Sequence, residues 1–231
     1  MVCLHNNPES ENNHMLYLIA LILLAAPFYL NDFANIFVKS WQCWLFIDYV
    51  GVKLFPFLVV LWLIRSGRMA PSEFGFSPQS ALSFLAVFVM AALVGTLIDQ
   101  NGYRLIEHFP EWKALGGMPS ITSSLWDWID LTFGLFMVGI FEEIVFRAYM
   151  HRFLGRYTRN PLVIVLISAL AFGLIHWSLG LHAMVITALI GAVFMIAYIG
   201  TRSIPAIICA HFAVNFIDFA GVIPESLFQL L

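Results

Sequence analysis

The sequence predicts an all-α fold, a polytopic transmembrane bundle of about seven to eight helices. Two observations carry this. Hydrophobic residues make up 61% of the 231 residues and charged residues only 11%, where an ordinary soluble domain has roughly 25% charged. The apolar residues also fall in stretches long enough to cross a bilayer, divided by short polar segments. Mean hydropathy is +0.88, so too little polar surface exists to cover a water-soluble globule. A net charge of −3 excludes a basic nucleic-acid binder, and the apolar content excludes a disordered segment. Cys3, Cys43 and Cys209 lie far apart and form neither a disulfide framework nor a zinc spacing. Cys209 reads as a small apolar core residue.

Residues 1–14 are polar, with Glu9 and Glu11 and no Lys or Arg. They lack the basic stretch of a secretory signal, so residues 15–30 read as a retained membrane helix. A second helix covers about 44–64. Lys53 lies inside it, which is costly unless the side chain snorkels or finds a partner. Arg65, Arg68, Pro71, Gly75 and Pro78 make residues 65–80 a loop. Residues 81–98 form the third helix. Residues 99–126, with Trp112, Gly116, Gly117 and Pro119, are a long connection with room for a short interfacial helix. The fourth apolar stretch, 128–153, is interrupted by Glu142, Glu143 and Arg147. A basic turn at 155–160 leads to a fifth helix over 161–177, with Pro161 in its first turn. The sixth and seventh helices cover about 182–199 and 205–220. The chain reads as one membrane domain, 1–231, in which 1–124 supplies helices and loops and 125–220 carries the chemistry.

Seven spans put the termini on opposite sides. Arg65, Arg68, Arg152, Arg156, Arg159 and Arg202 share the side of the N-terminus, whereas Lys39, Arg104 and Lys113 lie on the other. The positive-inside rule makes the Arg-rich side, and with it the N-terminus, cytoplasmic.

A charge at the centre of a membrane helix costs about 2.5–3.5 kcal/mol, and such groups face a bundle interior or a wet cavity. Glu142 and Glu143 therefore need partners. Arg147 lies one turn after Glu143 in the favoured ion-pair order. Glu142 is turned about 100° away and points elsewhere in the bundle. At 1.5 Å per residue, Glu142 and His176 both lie roughly 22–24 Å from the turn that joins their helices, so they can meet. His211 and Asn215 share one face of the seventh helix, only about 10–16 Å from the basic side. That mismatch closes if the fourth helix extends beyond the membrane as a polar stalk.

A carboxylate, two histidines and an amide suit water activation. A carboxyl group held out of water can act as a general base near neutral pH. Histidine and asparagine donors suit an oxyanion. No Ser or Cys nucleophile has an adjacent base. Each group also has a plainer reading. Glu143 and Arg147 can be a structural ion pair, His176 a satisfied core histidine, and His211 with Asn215 helix-to-helix glue. Asp218, His182 and His151 read as interfacial.

The segment EEIVFR at 142–147 looks like EExxxR, FGLIH at 172–176 like FxxxH, and HFAVN at 211–215 like HxxxN. In this order they resemble the CPBP family, the CAAX-protease and bacteriocin-processing (Abi) family of glutamic-type intramembrane endopeptidases. The resemblance covers about residues 125–220. It implies Glu142 as the base that activates water, helped by His176. It implies His211 and Asn215 as the oxyanion donors, Glu143 and Arg147 as a supporting pair, and Phe172 as packing beside His176. It implies no cofactor. A metal-dependent version would use Glu142, His176 and His211 as ligands, although no HExxH is present. The implied partners are the lipid bilayer and a membrane-associated or lipid-modified protein or peptide: a CAAX tail, a peptide precursor or a C-terminal sorting signal. The implied location is a prokaryotic inner membrane. A non-catalytic immunity or scaffold protein of the same fold is the competing reading. A proton-coupled transporter is a weaker third, since paired, interrupted half-helices are absent.

Overall fold

A computed structural model describes residues 8–76, 79–106, 112–221 and 224. The described residues form seven helical runs and no strand, so the molecule is a helical bundle. The runs are α1 (Pro8–Phe37), α2 (Trp41–Arg65), α3 (Ala81–Ile106), α4 (residues 124–154), α5 (Pro161–Leu174), α6 (Leu181–Thr201) and α7 (Ile204–Ala220). Residues 1–7, with Cys3, and Pro78 lie outside the described residues, as does the side chain of Arg104.

Helix starts follow local chemistry. The Ser40 hydroxyl accepts the Cys43 amide ahead of α2. Asn160 Oδ1 accepts the Leu162 amide at 3.0 Å, with Pro161 in the first turn of α5. In the connection before α4, residues 112–123 contain no helix and 107–111 lie outside the described residues, while residues 99–106 continue α3.

Two helices contain wide, π-type turns. In α2 this turn spans Tyr49–Leu54. It brings Lys53 against Asp48, five residues earlier, as a buried ion pair. Lys53 therefore pairs rather than snorkels. In α4 the wide turns are Asp130–Gly134 and Ile144–Tyr149. Around the second, every residue from 141 to 150 is buried. The Phe146 carbonyl inside it accepts the buried Ser168 hydroxyl of α5 at 2.7 Å.

Helix α5 stops at Leu174, short of the 177 expected from sequence. His176 sits in the following turn, and a 3-10 turn covers Trp177–Leu179. The cause is competition from α1 for the polar groups of this segment. Asp32 Oδ2 accepts the Ser178 amide at 2.6 Å, and the Trp177 indole donates to the Tyr29 carbonyl at 3.0 Å. Next to this turn, α5 and α6 approach closely. A Cβ on Gly173 would collide with the Met184 carbonyl, and one on Gly191 would lie 2.9 Å from Phe172 Cδ1.

Among the described residues, four spans are long and apolar enough to cross a membrane: Met15–Phe37, Trp41–Arg65, Ala81–Gly102 and Leu181–Thr201. Pro161–Leu174 and Ile204–Ala220 are shorter apolar helices. At 1.5 Å per residue α5 is about 21 Å long, against a hydrocarbon core of about 30 Å. It ends inside the bundle, where α1 supplies the hydrogen bonds that lipid cannot.

Candidate active site

A cavity of about 810 Å³ lies at one end of the bundle. Its wall takes residues from the C-terminal parts of α1, α3, α5 and α7 and from the N-terminal parts of α2, α4 and α6. Residues 118–121 of the α3–α4 connection lie at this end too. The connection is pinned across the bundle: Leu115 N donates to Ser178 O at 2.7 Å, and Gly117 N to Asn35 O at 3.1 Å. The Arg-rich loops join the opposite helix ends, so the cavity lies at the end away from them.

Glu142, Phe172, His176, His211 and Asn215 all line this one cavity. Glu143 and Arg147 are completely buried behind it. Arg147 Nε lies 3.0 Å from Glu143 Oε2, the pair expected from their spacing. The other oxygen of Glu143 is engaged as well: Oε1 lies 2.7 Å from His211 Nδ1. The second edge of the same imidazole faces Glu142, with Nε2 at 3.5 Å from Oε2. Glu142 thus points away from the Glu143–Arg147 pair, toward His211 and the cavity. The roughly 100° between adjacent helical side chains lets two neighbouring carboxylates hold opposite edges of one ring.

The expected depth mismatch between Glu142 and His211 is absent. Helix α4 continues to Leu154 and carries Arg152 to an ion pair with Glu73 of the α2–α3 loop. Glu142 and His211 meet at one level, with Oε2 and Nε2 3.5 Å apart. Helices α4 and α7 come close at Gly139, where a Cβ would lie 3.7 Å from His211 Cβ.

His176 is held differently. Its Nδ1 lies 3.3 Å from the Phe172 carbonyl. A carbonyl only accepts, so Nδ1 carries the proton and Nε2 of the neutral ring is an acceptor. Phe172 is the shared wall. The Arg147 guanidinium lies over its face at 4.0 Å, with the His176 and His211 rings at 5.6 and 5.9 Å. Asn215 lines the cavity one turn beyond His211.

The cavity wall holds more acid than sequence reading found. Asp32 and Asp48 are buried, and Asp99, Asp127, Asp130 and Asp218 line the cavity with them. Asp218 and His182, expected at the membrane interface, also line the cavity. Asn35 Nδ2 donates to Asp32 Oδ1 and to Ser178 Oγ, each at 3.1 Å, and Asn35 Oδ1 accepts the Trp44 indole at 2.9 Å. The signal for this network was present as Asn31, Asp32 and Asn35 inside an apolar helix. The signal for the Asp48–Lys53 pair was a lone acid and a lone base five apart.

The set Glu142, His176 and His211 does not fit a metal. Among the described residues no three His, Cys, Asp or Glu side chains close on a common point. Both His211 nitrogens face carboxylates, and His176 Nδ1 faces a carbonyl.

Neither the curated proteins nor the solved structures compared with the chain contain a match. Residues 124–217 match the family model described as type II CAAX prenyl endopeptidase, Rce1-like. The matched segment starts where α4 starts and ends just past Asn215, so the part of the chain that joins Glu142, Glu143 and His211 is similar to the Rce1-like, type II CAAX prenyl endopeptidase family.

Proposed function

We propose that this integral membrane protein is a glutamic-type intramembrane endopeptidase that cuts a membrane-associated or lipid-modified protein tail. The family match supports a CAAX-type intramembrane protease. The observation that carries the reaction is the buried line Glu142–His211–Glu143 on the wall of a cavity that also holds His176 and Asn215. In this reading residues 1–231 act as one membrane domain, with 125–220 supplying the chemistry.

Glu142 takes a proton from a water as its oxygen attacks the scissile carbonyl. His176 holds that water through Nε2. Negative charge moves to the carbonyl oxygen, where the Asn215 amide and Nε2–H of His211 donate to it, His211 acting as an imidazolium that donates from both ring nitrogens. Glu142 then returns the proton to the departing amine as the C–N bond breaks, so one water is consumed and an acid and an amine are released. Glu143 accepts from His211 Nδ1–H, which holds the ring with its other edge toward the reaction and stabilises its positive charge. Arg147 balances the charge of Glu143.

Membrane orientation selects among substrates. With the Arg-rich loops cytoplasmic, the cavity faces the outer side of a prokaryotic inner membrane. Sorting signals of exported proteins and exported peptide precursors meet such a cavity directly, ahead of a cytoplasmic CAAX tail.

The test is cleavage of tail peptides of the three classes in proteoliposomes. Glu142→Ala, His176→Ala and His211→Ala are each expected to abolish cleavage while helix content and melting temperature hold. Full activity in Glu142→Ala would sink the glutamic assignment, and no cleavage of any of the three classes by the unaltered chain would favour a non-catalytic membrane protein.

A further inference from the structure

At the opposite end of the bundle, away from the proposed reaction, a second cavity of about 460 Å³ lies among the end of α4, the α6–α7 turn and the α2–α3 loop. Its wall includes Glu73, His151, Arg152, Arg156, Tyr198 and Arg202. The charges do not cancel. Glu73 is the carboxylate here, and it is already used twice: it pairs with Arg152 and accepts the Ala70 amide at 2.7 Å. Among the described residues, Arg156 and Arg202 have no carboxylate partner.

Both guanidiniums are nevertheless held in place. Arg156 lies over the Tyr17 ring at 3.2 Å. Arg202 donates from Nη1 to His151 Nδ1 at 2.9 Å and lies 5.3 Å from the Tyr198 ring centre. Arg202 also has φ +57°, the one positive φ of a non-glycine among the described residues. A left-handed conformation is disfavoured for any residue with a Cβ and persists where its surroundings enforce it. Two fixed forks of N–H donors with excess positive charge match the oxygens of a phosphate.

The level of the cavity says which phosphate. Tyr17 lies just inside the start of the Met15–Phe37 span, and Tyr198 just inside the end of the Leu181–Thr201 span. The α2–α3 loop leaves the Trp41–Arg65 span at the same end. The cavity is thus at headgroup depth, flanked by tyrosines of the kind that settle at a membrane interface. Basic recesses between membrane helices on the cytoplasmic side hold anionic headgroups.

We infer that this cavity binds the phosphodiester headgroup of an anionic phospholipid, held chiefly by Arg156 and Arg202. The site is independent of the proposed peptidase reaction and is tested without it.

The experiment is native mass spectrometry and thermal melting of the full chain in neutral detergent, titrated with phosphatidylglycerol, phosphatidylcholine or inorganic phosphate. Phosphatidylglycerol is expected to bind and raise the melting temperature, phosphatidylcholine and inorganic phosphate not. Arg156→Ala and Arg202→Gly are each expected to weaken that binding about fivefold, and high salt to weaken it further. Glycine keeps the left-handed backbone of position 202, so its effect reports the side chain. Arg68→Ala removes a charge at the same end but outside this cavity and is expected to change nothing. Equal binding of both lipids, or equal losses in Arg68→Ala and Arg156→Ala, would overturn the site. Equal binding and protection by inorganic phosphate would overturn the headgroup assignment.

Discussion

His211 sits between two adjacent glutamates, and that arrangement decides what each of them does. Glu143 divides its oxygens between Arg147 and His211, which leaves Glu142 free to face the cavity. Glu143→Gln is expected to lower kcat about a hundredfold or more with little change in KM, as does loss of the buried acid that orients a catalytic histidine. Steady-state kinetics on one tail peptide checks this, and an equal fall in binding would mean that Glu143 is only structural. The motif residues were legible because charge is scarce in an apolar chain. The Glu143–His211 contact was not, because it joins residues 68 apart in sequence. Lys53 stands out in the sequence as a charge in need of a partner, but Asp48 does not suggest itself, because five residues is the wrong spacing in a regular α-helix. That pair carries its own prediction. Asp48→Ala strands a buried ammonium group and is expected to cost about 3–5 kcal/mol, whereas Asp48→Leu with Lys53→Met restores most of it. Melting curves of the two proteins decide.

Among the elements, α4 and α5 build the site through departures from regular helix. The wide turn Ile144–Tyr149 keeps both sides of α4 buried around Arg147 and leaves the Phe146 carbonyl to Ser168. Ser168→Ala removes that donor and is expected to cost about 1–3 kcal/mol, the penalty of an unsatisfied buried carbonyl, read as a lower melting temperature. Helix α5 ends early because Asp32 and Tyr29 of α1 capture Ser178 and Trp177. The fixed turn then holds His176 against the cavity. Spacing alone gave the existence and order of all seven helices. It did not give the wide turns, which have no compositional mark, or the early end of α5, which depends on a partner helix distant in sequence.

For the whole molecule, the seven runs bring alternate helix ends together, so one end carries the cavity and the other the arginines. With a cytoplasmic Arg-rich end, Thr158→Cys is expected to react only with a reagent admitted to the cytoplasmic side. Ser120→Cys is expected to react only from outside, each in a background lacking Cys3, Cys43 and Cys209. The reverse pattern would invert the orientation and favour a cytoplasmic CAAX tail as substrate. Composition already fixed the class of the molecule, since a chain with 11% charged residues must find its solvent in lipid. It also concealed part of the site, because Asp48 sits inside an apolar span and Asp32 lies beyond residue 30, where the first helix reads as ending, although α1 continues to Phe37. In the proposed reaction Glu142 activates the water that cuts the peptide bond. The most direct measurement is kcat of Glu142→Gln beside the unaltered chain in the same proteoliposomes. An amide of the same shape cannot take the proton, so turnover is expected to fall at least about a thousandfold with substrate binding intact. Turnover within tenfold of the unaltered chain would contradict the account.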